Sequence, residues 1–238
     1  MIEPTADKFI EKLQALRSRD ELIRHTRFFK FDPDNQPDDN YFIGVRMGDI
    51  FNLAKEFIEM SVAEIEKLMD SPIYEARTGA MSIMGKAADS KKVSEARLKE
   101  LFDLYIRRHD RIDDWSLVDL AAHKVLGRYL LDKPRDVLYE LAAADDPYRR
   151  RSAMVATAAF IRKKELEDAF RLAELLMSDK EETVQKAVGW MLRYAGDADQ
   201  DRLIEFLELY TPNMARTALR NAIEKLGEAQ REYYLNGQ

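Results

Sequence analysis

Apolar residues recur along this chain at three- and four-residue intervals nearly from end to end, the spacing that lines one face of an α-helix. Only 9 glycines and 7 prolines interrupt it, so long stretches run without punctuation. The pattern predicts an all-α fold. An N-terminal helical pair comes first, then an irregular loop over 31–40, rich in Asp, Asn and Pro. Helices are expected at 42–59, 61–69, 73–88, 95–108, 116–131, 135–143, 148–163, 165–177, 181–195, 199–209 and 215–226.

Three junctions carry capping chemistry. Asp70-Ser71-Pro72, Asp145-Asp146-Pro147 and Ser178-Asp179-Lys180 each place an oxygen-bearing side chain ahead of the next helix, two of them with a proline where a first turn tolerates it. From one helix to the second one after it runs roughly 35 to 40 residues, the spacing of HEAT-like pairs. The expected architecture is a solenoid of stacked antiparallel helical pairs, curved with a concave face, forming a single domain over 1–238.

Two tryptophans stand out. Trp115 and Asp119 lie four positions apart in a helix-like run, one turn apart on the same face. Either the indole packs inward and the carboxylate caps or pairs with an arginine, or both face a cationic ligand. On 181–195, Val184, Val188, Met191 and Ala195 form the apolar stripe. Lys186, Trp190 and Arg193 fall opposite, with Gly189 leaving room for something to approach Trp190. The 148–163 helix is apolar nearly all round from Ala153 to Ile161, but Arg149, Arg150 and Arg151 crowd its first turn, against the helix dipole. Asp145 and Asp146 offset them structurally, or an incoming phosphate does so functionally.

Composition narrows the chemistry. The chain has no cysteine, which excludes disulfides, thiolate metal sites and Cys nucleophiles, and its three histidines show no paired helical spacing, so no metal or other cofactor is expected. The longest uncharged apolar run, 152–161, is too short to span a bilayer, and a cytoplasmic location is expected. The net charge of −6 argues against a general nucleic-acid binder. Cations nevertheless cluster at Arg107-Arg108, Arg149-Arg150-Arg151 and Arg162-Lys163-Lys164, so one cationic face on an acidic body is compatible with it.

The segments W-S-L-V-D at 115–119, Y-R-R-R-S-A-M at 148–154 and V-Q-K-A-V-G-W-M-L-R at 184–193 occur in this order and resemble the AlkD-like family of DNA alkylation repair proteins, HEAT-like repeat glycosylases. Y-F-I-G-V-R at 41–46 with Asp49-Ile50, S-P-I-Y-E-A-R at 71–77 and A-I-E-K at 222–225 extend the similarity over nearly the whole chain. Tyr148 stands where the family often has Trp, and Phe28 near where it often has Tyr.

The resemblance implies a monomeric DNA glycosylase that removes cationic N3- and N7-alkylated purines from duplex DNA. It makes Asp119 the catalytic carboxylate, Trp115 and Trp190 the aromatic flanks of the deoxyribose, and Arg151 a contact to the strand near the lesion. Arg149, Lys186 and Arg193 are the further expected DNA contacts. The alkylated purine is already a good leaving group, so the demand is to stabilise an oxocarbenium-like sugar. The family is thought to work without a base pocket, and no pocket motif is visible in the sequence. Two other readings use the same fold: a relative that binds DNA structure without excision, and a HEAT-type protein scaffold.

Overall fold

The computed structural model describes residues 4–236, and among these the regular elements are all helical, the single exception being an isolated parallel bridge between Tyr41 and Ile73. By its internal contacts the chain forms two compact units, Met1–Val125 and Leu126–Gln238. The all-α architecture of successive helical pairs is the one the periodicity predicts.

The first unit contains α1 (Ala6–Ala15), α2 (Arg19–His25), α3 (Met47–Glu56), α4 (Val62–Met69), α5 (Tyr74–Asp89), α6 (Glu95–Arg107) and α7 (Trp115–Ala122). Its centre is α5, which packs against α3, α4 and α7. From Tyr74 to Ala88 every α5 residue except Lys86 is buried. Such a helix suits small side chains, and α5 is rich in Ala, Gly, Ser and Thr. They let neighbouring helices approach closely, as where the Phe9 ring lies against Gly79.

The second unit contains α8 (Asp136–Ala142), α9 (Pro147–Ala156), α10 (Ala158–Ile161), α11 (Glu167–Leu176), α12 (Glu182–Ala198), α13 (Gln200–Tyr210), α14 (Arg216–Ala222) and α15 (Glu228–Asn236). Here α12 is the hub, packed on α9, α11, α13 and α14. Its predicted apolar stripe is fully enclosed: Val184, Val188, Met191 and Ala195 are all buried. Asp146 caps α9 through the Tyr148 amide at 2.9 Å, with Pro147 in the first turn, as its sequence suggests.

Several boundaries differ from expectation, each for a local reason. The helix expected from residue 42 begins only at Met47, because Gly44 adopts φ +79° and the preceding residues are extended. A Cβ on Gly44 would also stand 2.2 Å from the Ser18 carbonyl oxygen. The 148–163 helix is interrupted at Thr157, whose hydroxyl donates to the Met154 carbonyl at 2.7 Å. The 116–131 helix passes into a π-helical turn over His123–Gly127. Asp70-Ser71-Pro72 and Ser178-Asp179-Lys180 do not cap the following helices in the usual way: the N-cap positions of α5 and α12 are Ile73 and Glu181, which make no side-chain cap bond, although Ser71 and Asp179 accept from the Ile73 and Glu181 amides at 3.2 and 2.9 Å. Asp70 binds Arg108, and Asp179 also binds Arg150. The C-terminal α15 lies beyond the last predicted helix.

The extended stretch after the loop is held by one side chain. Glu75, on the first turn of α5 and 1% exposed, accepts hydrogen bonds from the backbone amides of Ile43 (3.1 Å), Gly44 (2.8 Å) and Val45 (3.2 Å). Tyr41 N donates to the Pro72 carbonyl at 2.9 Å, and Tyr74 N to the Tyr41 carbonyl at 2.8 Å. Glu75→Ala leaves three donors without an acceptor in a buried place, and is expected to cost about 3 kcal/mol in urea unfolding. Glu75→Gln keeps one acceptor oxygen and should cost clearly less.

Candidate functional site

Trp115 opens α7. The helix buries Leu117, Val118, Ala121 and Ala122, which turns residues 115 and 119 to its other side. Trp115 is 45% exposed and Asp119 half-buried, so the inward-packed reading of the indole is excluded. The start of α7 is fixed by Asp114, whose carboxylate caps the Ser116 amide at 2.8 Å and accepts from the Tyr74 hydroxyl at 2.7 Å. Burial, and then the adjacent Asp114 carboxylate, push the Tyr74 hydroxyl far above its usual pKa, so it stays a neutral donor. Asp113 binds Arg77 at 3.0 Å, and Arg77, itself 2% exposed, also donates to the Asn40 side chain at 2.8 Å. Asp114 is therefore engaged in building α7, and the charge of Asp113 is met by Arg77.

Trp115 also borders a feature that the sequence did not suggest. A cavity of about 450 Å³ opens in the first unit between α2, the 41–46 stretch and the starts of α3, α5 and α7. Phe28, Phe29, Phe42, Tyr74 and Trp115 wall it. Three of these rings cluster with Phe31: Phe42 stacks on Phe31 with centroids 4.5 Å apart and the planes 8° from parallel, and lies 4.4 Å from Tyr74 and 5.0 Å from Phe29. The available signal was the density of aromatics, Phe28, Phe29, Phe31, Tyr41 and Phe42, within an otherwise polar loop.

In the second unit the predicted DNA contacts are found on the helices expected, and each has a local partner. Arg149 stands 3.9 Å from Asp146, Lys186 is 3.1 Å from Glu182, and Arg193 pairs with Glu224. Arg150 is structural: it binds Asp179 at 2.6 Å and the carbonyls of Ala144 and Asp145. Arg151 is buried, with a guanidinium nitrogen donating to the Thr183 carbonyl in the first turn of α12. Trp190 is half-buried. Gly189 does not leave room beside it: a Cβ there would lie 2.4 Å from the Ala218 carbonyl oxygen and 2.5 Å from Asn221 Cβ. The missing side chain lets α14 close onto α12, and that approach accounts for the glycine.

Among the described residues no group of three or more His, Asp or Glu is placed to hold a metal ion, and no helix is long and apolar enough to cross a membrane.

The family model for "DNA alkylation repair enzyme" matches residues 9–226. The chain belongs to this family. A solved structure described as a predicted DNA alkylation repair enzyme from Enterococcus faecalis superposes with a TM-score of 0.68 at 16% identity, over 89% of this chain and 97% of that one. At that identity it shows a shared fold. No curated protein matches the chain. The structure shows how Tyr74 and Asp114 fix the start of the helix that carries Trp115 and Asp119.

Removal of the Tyr74 hydroxyl should loosen that helix start. Tyr74→Phe is expected to cost about 1 kcal/mol in stability, and hydrogen exchange should speed up first at the amides of 115–118.

Proposed function

We propose that this family member is a DNA glycosylase that excises cationic N3- and N7-alkylated purines from duplex DNA. The observation that carries the reading is the outward display of Trp115 and Asp119 on one side of α7, in a chain whose family acts in DNA alkylation repair. Asp119 is the carboxylate that stabilises positive charge as it develops on the deoxyribose and that positions the attacking water. Trp115 lends an aromatic face to the same charge, and Trp190 of the second unit has the corresponding role. Arg149, Lys186 and Arg193 exchange their carboxylate partners for phosphates, an inexpensive exchange for the exposed Arg149 and Lys186, whose pairs contribute only about 0 to 1 kcal/mol. Arg151, through the Thr183 carbonyl, secures the first turn of α12 and with it Lys186 near the strand. The protein acts as a monomer, in one HEAT-like domain spanning both compact units, without a cofactor and in the cytoplasm.

The reaction needs little proton transfer to the base. The alkylated purine leaves as a neutral molecule once the glycosidic bond breaks, and the electron pair of that bond cancels its positive charge. The sugar is left as an oxocarbenium-like centre, and addition of water with loss of a proton gives the abasic product. A fixed carboxylate is effective here because the charge that it meets exists mainly in the transition state.

Duplex DNA containing N7-methylguanine tests the assignment, with the released base measured directly. Asp119→Asn should lower the single-turnover excision rate about 10²- to 10³-fold while duplex binding is retained or slightly strengthened. Excision by Asp119→Asn at the parent rate would remove Asp119 from this role. A parent protein that binds the duplex but releases no base would be a non-excising relative.

A further inference from the structure

We propose that Lys55, Lys86 and Lys124 together form a phosphate site in the first unit, which takes a backbone phosphate of the bound duplex. The inference rests on the DNA-binding reading above and gives the first unit a strand contact of its own.

The site begins with the burial of α5. From Tyr74 to Ala88 only Lys86 is left partly exposed, and the two helices α3 and α7 that pack on α5 each bring a further cation to it. The Lys86 ammonium lies 5.5 Å from the centre of the Phe51 ring on α3, and Lys55 follows Phe51 by one turn. From the other helix, a Cβ at Gly85 would stand 2.6 Å from the Leu120 carbonyl oxygen and 3.3 Å from Lys124 Cδ. The Lys124 side chain therefore lies against the residue that adjoins Lys86.

Ammonium groups placed in this way repel one another. Burial, and then the charges of Lys124 and Lys55, hold the Lys86 ammonium below its ordinary pKa. Among the described residues none of the three lysines is in an ion pair; Lys55 donates to the Asn52 side-chain oxygen at 3.0 Å, and the neighbouring Glu56 is turned to Lys12. The helix dipole favours a cation in the last turns of α3 and α5, which accounts for Lys55 or Lys86 singly. It does not account for three cations gathered without a carboxylate in a chain of net charge −6. Elsewhere in the same unit acids meet such cations: Arg108 alone has Glu66, Asp70 and Asp110.

A phosphate diester supplies what is missing. Its charge is shared by two outer oxygens that accept from more than one ammonium, so its arrival replaces repulsion with charge-assisted hydrogen bonds. The position suits a strand held at α7, because Lys124 follows Asp119 by five residues, roughly 7.5 Å along a helix. A duplex presents a charge for about every 1.7 Å of its axis, so DNA seated at Asp119 brings phosphates within reach of Lys124.

Lys86→Met tests the site, because it keeps an unbranched side chain over Phe51 and removes the charge. Binding of an undamaged duplex is followed by fluorescence anisotropy from about 50 to 200 mM salt. Lys86→Met should lower the slope of log affinity against log salt by about 1, and Lys86→Arg should keep the parent slope. Without DNA, Lys86→Met should melt no lower than the parent, since the substitution relieves repulsion, whereas loss of a merely structural lysine would lower the melting temperature. Arg17→Gln removes an exposed cation of the same unit, between α1 and α2, and should leave the slope unchanged. A parent slope in Lys86→Met would overturn the proposal, as would an equal fall with Arg17→Gln. If inorganic phosphate raises the melting temperature of the parent but not of Lys86→Met, while both bind duplex with the same slope, the site holds a free anion and the strand assignment fails. If the parent binds no duplex at all, the DNA reading itself fails, an outcome distinct from binding with an unchanged slope.

Discussion

Much of the first unit depends on one buried carboxylate. Glu75 offers its oxygens to three consecutive amides that no helix or sheet would otherwise satisfy, and this lets the chain pass from Ile43 to Val45 outside any helix. Burying three unpaired amides would be prohibitive, so the carboxylate is what makes the path possible. The path in turn delivers Phe42 onto Tyr74, where the Gln36 side chain, bonded to both the amide and the carbonyl of Phe42, fastens the loop above it. Tyr74 then grips Asp114, the cap of α7. A chain of contacts thus leads from Glu75 to the helix that displays Trp115 and Asp119.

The acidic composition looks at odds with a partner made of phosphates, and the ion pairing reconciles the two. Cations on α9 and α12 are held by aspartates and glutamates of their own unit, one to one in the cases of Arg149, Lys186 and Arg193. In the absence of DNA such pairs restrain long side chains and lower self-repulsion. Where a polyanion approaches, it competes for the same guanidinium and ammonium groups at little cost. Net charge is therefore a weak guide to what such a surface can bind, whereas the accessibility and the partners of each cation are informative.

Features that repeat along the chain were readable from it, and features that depend on distant residues were not. The stripe of Val184, Val188, Met191 and Ala195 is buried because helical periodicity leaves it no alternative, and Asp146-Pro147 caps α9 because the signal is contained in adjacent residues. The start of α3 was misplaced because the residues that hold 43–45 extended belong to α5, some thirty positions further on. Gly189 was misread for a different reason: a glycine needed for a ligand and one needed for a neighbouring helix look alike in sequence, and only the Ala218 carbonyl distinguishes them. The W-x-x-x-D spacing set Trp115 and Asp119 one turn apart on α7 but carried no information about the aromatic cavity beside it, whose rings come from three separate stretches of chain.

The two tryptophans of the chain fall one in each compact unit, Trp115 open to solvent beside the cavity and Trp190 half-covered on α12. Each unit therefore carries its own intrinsic fluorophore in a distinct environment. Replacing either indole by phenylalanine leaves an optical signal that belongs to one unit alone, so that loosening of one half of the molecule can be distinguished from loosening of the other without any added label.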